Sequence, residues 1–261
     1  MSKARPTGRR RIFTHFVNTG KTEPLRPAAA RLKAIIFDVD GTLYYQRSVR
    51  RSMLYRLLRA HLRHPAQGVS TLRALRAYRR AQEHLRTAQQ DCDDIANAQL
   101  RLACEWSGIE PEEMSSYVKC WMERESLAPV ASSLYQGVRE FLQLAKGRGI
   151  RLGVFSDYPA EEKLSALGIA PFFDITVSAQ DPQVQRFKPD PRGLEVILRR
   201  LGVEKDQALY VGDRPEVDAV TAFRAGVTPL IIGRKRKVRS GPAWINVSSY
   251  RELSELLFEE Y

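Results

Sequence analysis

The sequence predicts an α/β fold with a Rossmann-like parallel sheet core and an all-helical insertion. Three observations support this prediction. Short apolar runs end at polar or glycine turns, helical patterns alternate with the later runs, and residues 44–130 show helical spacing without a convincing strand. Strands that alternate with helices favour right-handed crossovers and a parallel sheet. A chain of 261 residues is long enough for one large domain or two smaller ones.

Composition excludes several other classes of protein. No apolar run approaches the roughly 18 residues of a membrane span. The three cysteines form no CxxC pair and are too few for a disulfide framework. Apolar residues make up 43% of the chain, which is enough to build a core. These features fit a reduced, cytoplasmic protein.

The predicted core elements follow in chain order. Apolar runs predict five strands, at Ala34–Phe37, Leu152–Phe155, Ile175–Val177, Ala208–Val211 and Val227–Ile232. Helical patterns between the later runs predict four helices, at Gly137–Arg148, Ala160–Leu167, Arg192–Leu201 and Val217–Ala225. A further strand near Trp244–Val247 and a helix from Tyr250 to Glu259 complete the domain.

The insertion is predicted to contain about four helices. Leucines and aromatic residues recur there at helical spacing, and Pro65–Ser70 interrupts the first pair of helices. Pro111 begins the last helical pattern, as proline often does in a first turn. The residues with helical spacing are Leu54, Leu57, Leu58, Leu62, Leu72, Leu75, Tyr78, Leu85, Ile95, Leu102 and Trp106.

Charge is concentrated at the N-terminus. The net charge is +12, and residues 1–33 hold nine basic residues and one acidic residue, Glu23, which is typical of a flexible basic tail. Arg10 and Arg11 resemble a twin-arginine export signal, but charged and polar residues occupy 14–33 where an apolar stretch should follow. An organelle transit peptide stays open on composition. The basic residues at 235–239 predict a solvated loop.

An acidic motif follows the first predicted strand. Asp38 and Asp40 stand two residues apart at its carboxyl end, where parallel sheets usually bind ligands. Gly41 allows a sharp turn there. An Asp-x-Asp pair alone is part of a turn or a helix cap as often as it is part of a ligand site. At a strand end and followed by Gly41 and Thr42, the pair is a more specific sign of a ligand site.

Three further polar sites follow later strands. Ser156 ends the second strand, Lys188 precedes a helix, and Asp213 follows the strand at 208–211, with Asp218 five residues later. Singly, each has an ordinary explanation as a turn, surface or capping residue. Together, these residue types at strand ends suit a magnesium phosphate site.

The chain resembles the phosphatase branch of the haloacid dehalogenase-like superfamily. Its four motifs occur in order, spanning residues 34–226: Asp38-x-Asp40-Gly-Thr42, then Ser156, then Lys188-Pro189, then Gly212-Asp213 with Asp218. The dehalogenating relatives lack an acid at position 40, so Asp40 favours phosphoryl transfer.

The resemblance implies roles for the acidic residues and a Mg²⁺ cofactor. Asp38 is the expected nucleophile, and Asp40 the general acid and then the base for the hydrolytic water. The carboxylates of Asp38 and Asp213 and the carbonyl of Asp40 are expected to bind Mg²⁺. Asp218 is expected at the metal or just behind its ligands.

The same resemblance assigns the phosphate-binding groups. Thr42 and Ser156 are expected to donate hydrogen bonds to the phosphoryl group. Lys188 is expected to neutralise its charge and orient Asp38. One departure from the family is Asp157, where many relatives have asparagine. A carboxylate next to a phosphate needs to turn away or to pair, for example with Arg214 or an arginine of the insertion.

In this family a helical insertion between the first two motifs is a cap that closes over the site. The expected division is a tail at 1–32, a catalytic core at 33–43 and 131–261, and a cap at 44–130. Tyr44 and Tyr45 begin the cap linker. They either face the pocket or pack the hinge, and packing is the favoured interpretation.

Charge is uneven within the cap as well. Residues 47–90 hold eleven arginines, no lysine and one acid, whereas residues 91–130 hold nine acidic and three basic residues. Ordinary salt bridges between the two pairs of helices explain this pattern. Alternatively, some of Arg47, Arg50 and Arg51 bind a second anionic group of the substrate, which suits the planar guanidinium.

The predicted function is hydrolysis of a small phosphomonoester by a magnesium-dependent phosphatase, a phosphoric monoester hydrolase. A phosphotransferase or phosphomutase of the same fold is the alternative, since mutases share the Asp38–Asp40 pair. A nucleic-acid-binding protein is disfavoured, because no basic motif is interleaved with aromatic residues. A small phosphorylated substrate is the expected partner, membrane association is not expected, and a homo-oligomer stays open.

Overall fold

A computed structural model describes residues 31–88, 92–233 and 242–258 of the chain. Most of the predicted basic tail at 1–32, the predicted loop at 235–239 and the end of the predicted last helix at Glu259 lie outside the described residues.

The core is a six-stranded sheet in which every neighbouring pair of strands is parallel. Its strand order is β3-β2-β1-β4-β5-β6, so the chain reverses its direction of winding at β1. This confirms the predicted Rossmann-like α/β class. The strands are β1 (Ala34–Phe37), β2 (Arg151–Ser156), β3 (Ile175–Ser178), β4 (Ala208–Gly212), β5 (Thr228–Ile232) and β6 (Ile245–Val247).

Both faces of the sheet are covered by helices, because its central strands are apolar on both sides. Alternate residues of β1 enter different cores: Ile35 and Phe37 pack on one side, Ala34 and Ile36 on the other. The helices that accompany the sheet are α6 (Val138–Gly147), α7 (Glu161–Ala166), α8 (Arg192–Leu201), α9 (Val220–Ala225) and α10 (Tyr250–Phe258). A π-helical turn, Pro215–Ala219, leads into α9.

The insertion is all-helical within the described residues. Its elements are α1 (Gln46–Ala60), α2 (Pro65–Ala88), α3 (Ile95–Ser107), α4 (Pro111–Val118), a π-helical stretch (Lys119–Arg124) and α5 (Glu125–Ala131). The last three run on without a break, so four helical segments form, as predicted, and the last ends one residue beyond the expected boundary at 130. The division into separate domains stays a prediction.

Local sequence explains where these helices begin and end. The side chain of Asp94 accepts a hydrogen bond from the N–H of Asn97 and caps the start of α3. Gly108 ends α3 in the left-handed conformation. Ala74, Ala81 and Ala103 are fully buried where α2 packs on α3, since small side chains let helices approach closely.

The helical insertion, which is the predicted cap, contacts the rest of the fold at several points. Tyr44 pairs with Leu134 in an isolated antiparallel bridge that ties together the two chain segments joining cap and core. Near the start of α3, Ile95 packs against Ala179 and Phe187 of the core domain. Among the described helices, none has the length and apolar character needed to cross a membrane.

Candidate active site

The site lies at the switch point of the sheet. Because winding reverses between β1 and β4, a crevice opens beyond their carboxyl ends. Asp38 directly follows β1 and Asp213 directly follows β4. Gly41 has φ +99°, and a Cβ there would lie 2.6 Å from Oδ2 of Asp213. Glycine at position 41 therefore lets the two acidic loops approach each other.

Asp38 is held between a hydroxyl and an ammonium group. The hydroxyl of Thr42 donates to its Oδ2 at 2.8 Å, and the Nζ of Lys188 donates to its Oδ1 at 2.5 Å. The loop is fixed from behind by Tyr250 of α10, whose hydroxyl donates to the carbonyl of Thr42 at 2.9 Å. Both oxygens of the Asp38 carboxylate therefore accept a hydrogen bond from the protein.

Electrostatic effects on Asp38 oppose one another. Burial raises the pKa of this carboxyl, Lys188 lowers it, and the neighbouring carboxylates of Asp218 and Asp213 raise it further, with a net increase. Accumulated negative charge is thus unfavourable at this point, and a cation next to Asp38 would favour its ionised form.

Lys188 lies at the centre of the buried network, with a side chain only 3% exposed. Besides Asp38, its Nζ donates to Oδ1 of Asp218 at 3.0 Å and to the hydroxyl of Tyr210 at 3.2 Å. Burial alone would lower the pKa of Lys188, but Asp218 and Asp38 together raise it well above its usual value. Lys188 is therefore a fixed positive charge.

Asp218 joins this lysine to the loop after β4. Its Oδ2 accepts hydrogen bonds from the backbone N–H groups of Asp213 (3.2 Å) and Arg214 (2.9 Å). A Cβ on Gly212 would lie 2.3 Å from the Cβ of Asp218, so glycine is required for this approach. Both oxygens of Asp218 already have protein donors, which favours a positioning role behind the metal ligands.

Asp38, Asp213 and Asp218 together form a carboxylate cluster. One oxygen from each lies within 4.8 Å of the others. Oxygen ligands at this spacing fit a small divalent cation, which prefers carboxylates and retains several waters. The cluster contains three of the four predicted metal ligands. For the fourth, Asp40, the predicted ligand atom is the backbone carbonyl.

The carboxylate of Asp40 points to different partners. Lys163 of α7 donates from Nζ to its Oδ1 at 2.7 Å and to its Oδ2 at 3.0 Å, and the hydroxyl of Tyr44 donates to Oδ1. Burial alone would raise the pKa of Asp40, but Lys163 and Tyr44 hold it below its usual value. The favoured interpretation of Tyr44 as a hinge-packing residue is therefore incomplete, since it also contacts a site carboxylate. Tyr45 does pack, against Tyr135.

The second motif contacts the cap. Ser156 is buried at the end of β2, and its Oγ accepts a long hydrogen bond, 3.4 Å, from the N–H of Tyr158. Asp157 accepts from Nη2 of Arg86 at 2.7 Å and from Nε2 of Gln82 at 3.1 Å. The expected pairing of Asp157 is thus made by an arginine of the cap.

Arg86 makes a second contact to the core domain. Its Nη1 donates to the backbone carbonyl of Lys188 at 2.7 Å, while the N–H of Lys188 donates to Oδ1 of Asp157 at 3.2 Å. One cap side chain therefore fixes both Asp157 and the backbone that presents Lys188.

A cavity of about 440 Å³ separates the cap from the core domain. All the predicted site residues except Thr42 line it: Asp38, Asp40, Ser156, Lys188, Asp213 and Asp218. Of the three arginines considered from sequence, Arg50 lines the cavity, whereas Arg47 and Arg51 do not. Salt-bridge pairing within the cap also occurs, since Arg56 of α1 pairs with Glu125 of α5 at 2.5 Å.

Residues 32–226 match the family model described as haloacid dehalogenase-like hydrolase. This range contains all seven predicted site residues, from Asp38 to Asp218. The chain belongs to the haloacid dehalogenase-like hydrolases. The resemblance inferred from the four motifs is confirmed.

Two curated relatives of this haloacid dehalogenase-like hydrolase extend over most of the chain. A phosphoglycolate phosphatase of Rhodospirillum rubrum is 35% identical over 77% of this chain and 78% of its own length. A glyceraldehyde 3-phosphate phosphatase of Methanopyrus kandleri is 30% identical over 78% of this chain and 84% of its own length.

A solved structure agrees with the fold. The 2-haloacid dehalogenase from Pseudomonas syringae pv. Tomato DC3000 has a TM-score of 0.62 and 22% identity, covering 87% of this chain and 98% of its own. At this level of identity the likeness supports the α/β fold with its helical insertion, and nothing about the reaction.

Sequence reasoning missed four residues of the hydrolase site: Tyr44 as a contact of Asp40, Lys163, Arg86 and Tyr210. Lys163 lies in a helix far from Asp40 along the chain, and Arg86 is one of eleven similar arginines in its segment. No local pattern distinguishes either residue. Tyr210 lies in a strand whose residues are all buried, so from sequence it looks like an ordinary core residue.

Proposed function

We propose that this protein is a magnesium-dependent phosphatase that hydrolyses a small phosphomonoester through an aspartyl-phosphate on Asp38. The observation that supports this most directly is the carboxylate of Asp38, which accepts a hydrogen bond on each oxygen. It lies on the cavity floor between Thr42 and Lys188, and belongs to the carboxylate cluster with Asp213.

The enzyme class rests on the family and on its named members. The family is a hydrolase family, and both extended relatives are phosphatases, so the predicted class, phosphoric monoester hydrolase, is confirmed. The acid at position 40 agrees with phosphoryl transfer. The magnesium dependence, the substrate and the individual residue roles are the proposed part.

The residues present fit Mg²⁺. Asp38 and Asp213 would hold it through carboxylate oxygens, with the carbonyl of Asp40, while Asp218 keeps the Asp213 loop in place. When bound, the ion supplies positive charge that offsets repulsion between an anionic nucleophile and an anionic substrate. The raised pKa of Asp38 supports this assignment, because neighbouring carboxylates contribute to it.

In the first step, an oxygen of Asp38 attacks phosphorus and the bond from phosphorus to the substrate oxygen breaks. The leaving oxygen takes a proton from Asp40. Lys163 and Tyr44 lower the pKa of Asp40 and favour its ionised form, so Asp40 must take up a proton from solvent before this step. Lys188 and the hydroxyl of Ser156 bind the phosphoryl oxygens.

In the second step, water attacks phosphorus of the aspartyl-phosphate. Asp40 accepts a proton from this water, the bond from phosphorus to Asp38 breaks, and inorganic phosphate leaves. The nucleophile returns to its carboxylate form. The low pKa of Asp40 favours the base form that this step requires.

The experiment is turnover of p-nitrophenyl phosphate with Mg²⁺ and after removal of divalent ions with EDTA. We expect activity only with Mg²⁺, and phosphate label on the peptide containing Asp38 after rapid acid quenching of a labelled substrate. Full activity in EDTA would overturn the metal assignment. Label on another residue would overturn the role of Asp38.

A further inference from the structure

The cap side of the cavity differs sharply from its floor. The floor is made of the charged network around Asp38 and Lys188, whereas the wall from α1 and α2 combines apolar side chains with arginines. Met53, Leu57, Leu72 and Leu75 line this wall, together with Trp121. The wall suits the carbon body of a ligand, because burying apolar surface against it is favourable.

The cavity is larger than a two-carbon phosphate ester requires. Its volume of about 440 Å³ lies in the roughly 300–1,000 Å³ range of pockets that take drug-sized ligands. A short phosphorylated acid would leave most of the apolar wall facing water. A longer carbon body would cover it.

One face of α2 leads from the floor into this space. From Arg86 toward the start of α2, the residues at intervals of three or four lie on the same side of the helix. They are Gln82, Arg79, Leu75 and Leu72. Arg86 contacts Asp157 and the backbone of Lys188, which places it at the level of the floor. At 1.5 Å per residue, Arg79 lies about 10 Å further along the helix and Arg76 about 15 Å.

Arg76 and Arg79, with Arg50 of α1, line the cavity without a partner. Among the described residues, none of these three guanidinium groups makes a hydrogen bond or an ion pair, although Arg86 on the same face makes several. The nearby acid of the wall, Glu83, is already shared between Arg86 at 3.2 Å and Arg214 at 3.8 Å. Positive charge thus remains uncompensated beside an apolar wall.

We propose that the substrate is a phosphomonoester with an extended apolar body and a second anionic group at its far end. The phosphoryl group binds at Asp38, the carbon body lies against Met53 and Leu57 of α1, and the second anion binds Arg79 and Arg76. A planar guanidinium binds either a carboxylate or a phosphate in a bidentate manner. This proposal rests on the proposed phosphatase function.

The test compares three substrates with Mg²⁺ present. Hexyl phosphate has the body alone, 6-phosphonooxyhexanoic acid has the body and a terminal carboxylate, and phosphoglycolate has a carboxylate but no extended body. We expect kcat/KM to be highest for 6-phosphonooxyhexanoic acid. A preference for phosphoglycolate would overturn the proposal.

Variants separate the two features of the wall. Arg79→Gln and Arg76→Gln should lower kcat/KM for 6-phosphonooxyhexanoic acid on the order of tenfold through KM, the scale of one charge-assisted hydrogen bond, and leave hexyl phosphate unchanged. The matched control is Arg73→Gln, an exposed arginine of the same helix that does not line the cavity. Equal losses on both substrates would overturn the assignment of the second anion.

The apolar wall has its own pair of variants. Met53→Ser should lower kcat/KM for hexyl phosphate more than for phosphoglycolate, whereas Leu62→Ser, at a leucine 76% exposed outside the cavity, should change neither. Equal effects of Met53→Ser on both substrates would overturn the role of the wall.

Failure of the proposed function is recognised separately. If the wild-type protein hydrolyses neither these esters nor p-nitrophenyl phosphate, the phosphatase proposal fails. Calorimetric binding of 6-phosphonooxyhexanoic acid to the wild-type and Arg79→Gln proteins then tests the inference alone. Weaker binding by the variant supports the second-anion site, and equal binding overturns it.

Discussion

The floor and the cap wall of one cavity follow opposite rules. On the floor, Lys188 lies between Asp38 and Asp218, and each of these three side chains is less than a tenth exposed. On the cap wall, Arg76 and Arg79 are exposed and have no acidic partner among the described residues. On the floor, the lysine is already paired with protein carboxylates, whereas on the wall the arginines would be paired only by a ligand.

This contrast explains how one fold serves many substrates. Groups that act on phosphorus need fixed geometry, so they are buried and linked by hydrogen bonds to strand ends. Groups that recognise the rest of the substrate lie on helices of an insertion, where they can vary without disturbing the sheet. Changes to the floor should therefore affect every substrate, and changes to the wall only some.

The largest effect is expected from Asp38→Asn. An amide cannot attack phosphorus usefully, so turnover of any phosphomonoester should fall by more than about 10⁴-fold. The measurement is kcat for p-nitrophenyl phosphate, with circular dichroism as the control for folding. Activity within tenfold of the wild-type value would show that the floor does not supply the nucleophile.

Asp40→Asn should lower kcat by about 10²–10⁴-fold, the range usual for general acid–base catalysis. The amide can still accept hydrogen bonds from Lys163 and Tyr44, so the melting temperature should change little. A kcat loss that merely tracks a lower melting temperature would contradict a chemical role for this carboxylate.

Asp218→Ala tests whether the floor depends on paired charge. Its loss leaves buried Lys188 with one carboxylate and frees the N–H groups of Asp213 and Arg214, so we expect a loss of about 3–5 kcal/mol in the free energy of unfolding. Urea denaturation measures this change. Asp218→Asn, which keeps the shape, is the matched control and should cost less; equal costs would contradict the charge argument.

The pair of Arg86 and Asp157 joins the two regions. Arg86→Gln and Asp157→Asn should each destabilise the protein, and a double-mutant cycle should give a coupling of roughly 0.5–3 kcal/mol. Chemical denaturation of the four proteins provides the values. Strictly additive effects would show that the 2.7 Å contact contributes nothing to holding the cap.

The smallest effect is expected from deleting residues 1–30. The first strand begins at Ala34, so the floor and the wall are both retained. Turnover of p-nitrophenyl phosphate should stay at the wild-type rate. A large fall would show that the basic N-terminal segment reaches the site or joins two copies of the chain.

The core could be predicted from sequence because its signals are local. Each strand is an apolar run ended by a polar turn, and Asp38, Ser156 and Asp213 occupy the positions where parallel strands end at one edge. Because parallel strands end at one edge of the sheet, these side chains meet there. All six expected strands form, and six of the seven predicted site residues line the cavity.

The cap side could be predicted only in outline. Helical spacing gives the helices, but the rotation of each helix about its axis decides which arginines face the cavity. That rotation places Arg50 at the cavity and turns Arg47 and Arg51 away. Lys163 was missed for a related reason: its partner Asp40 is distant along the chain, and only the packing of α7 brings them together.

The contact of Arg86 has a consequence for exchanging parts between members of the family. A cap grafted from a relative with asparagine at position 157 would have evolved without the need to neutralise a carboxylate there. Fused to this core, such a chimera would leave Asp157 beside the phosphoryl site with no guanidinium to balance it. Arg86 and Asp157 should therefore be transferred as one unit, even though 71 residues separate them in the chain.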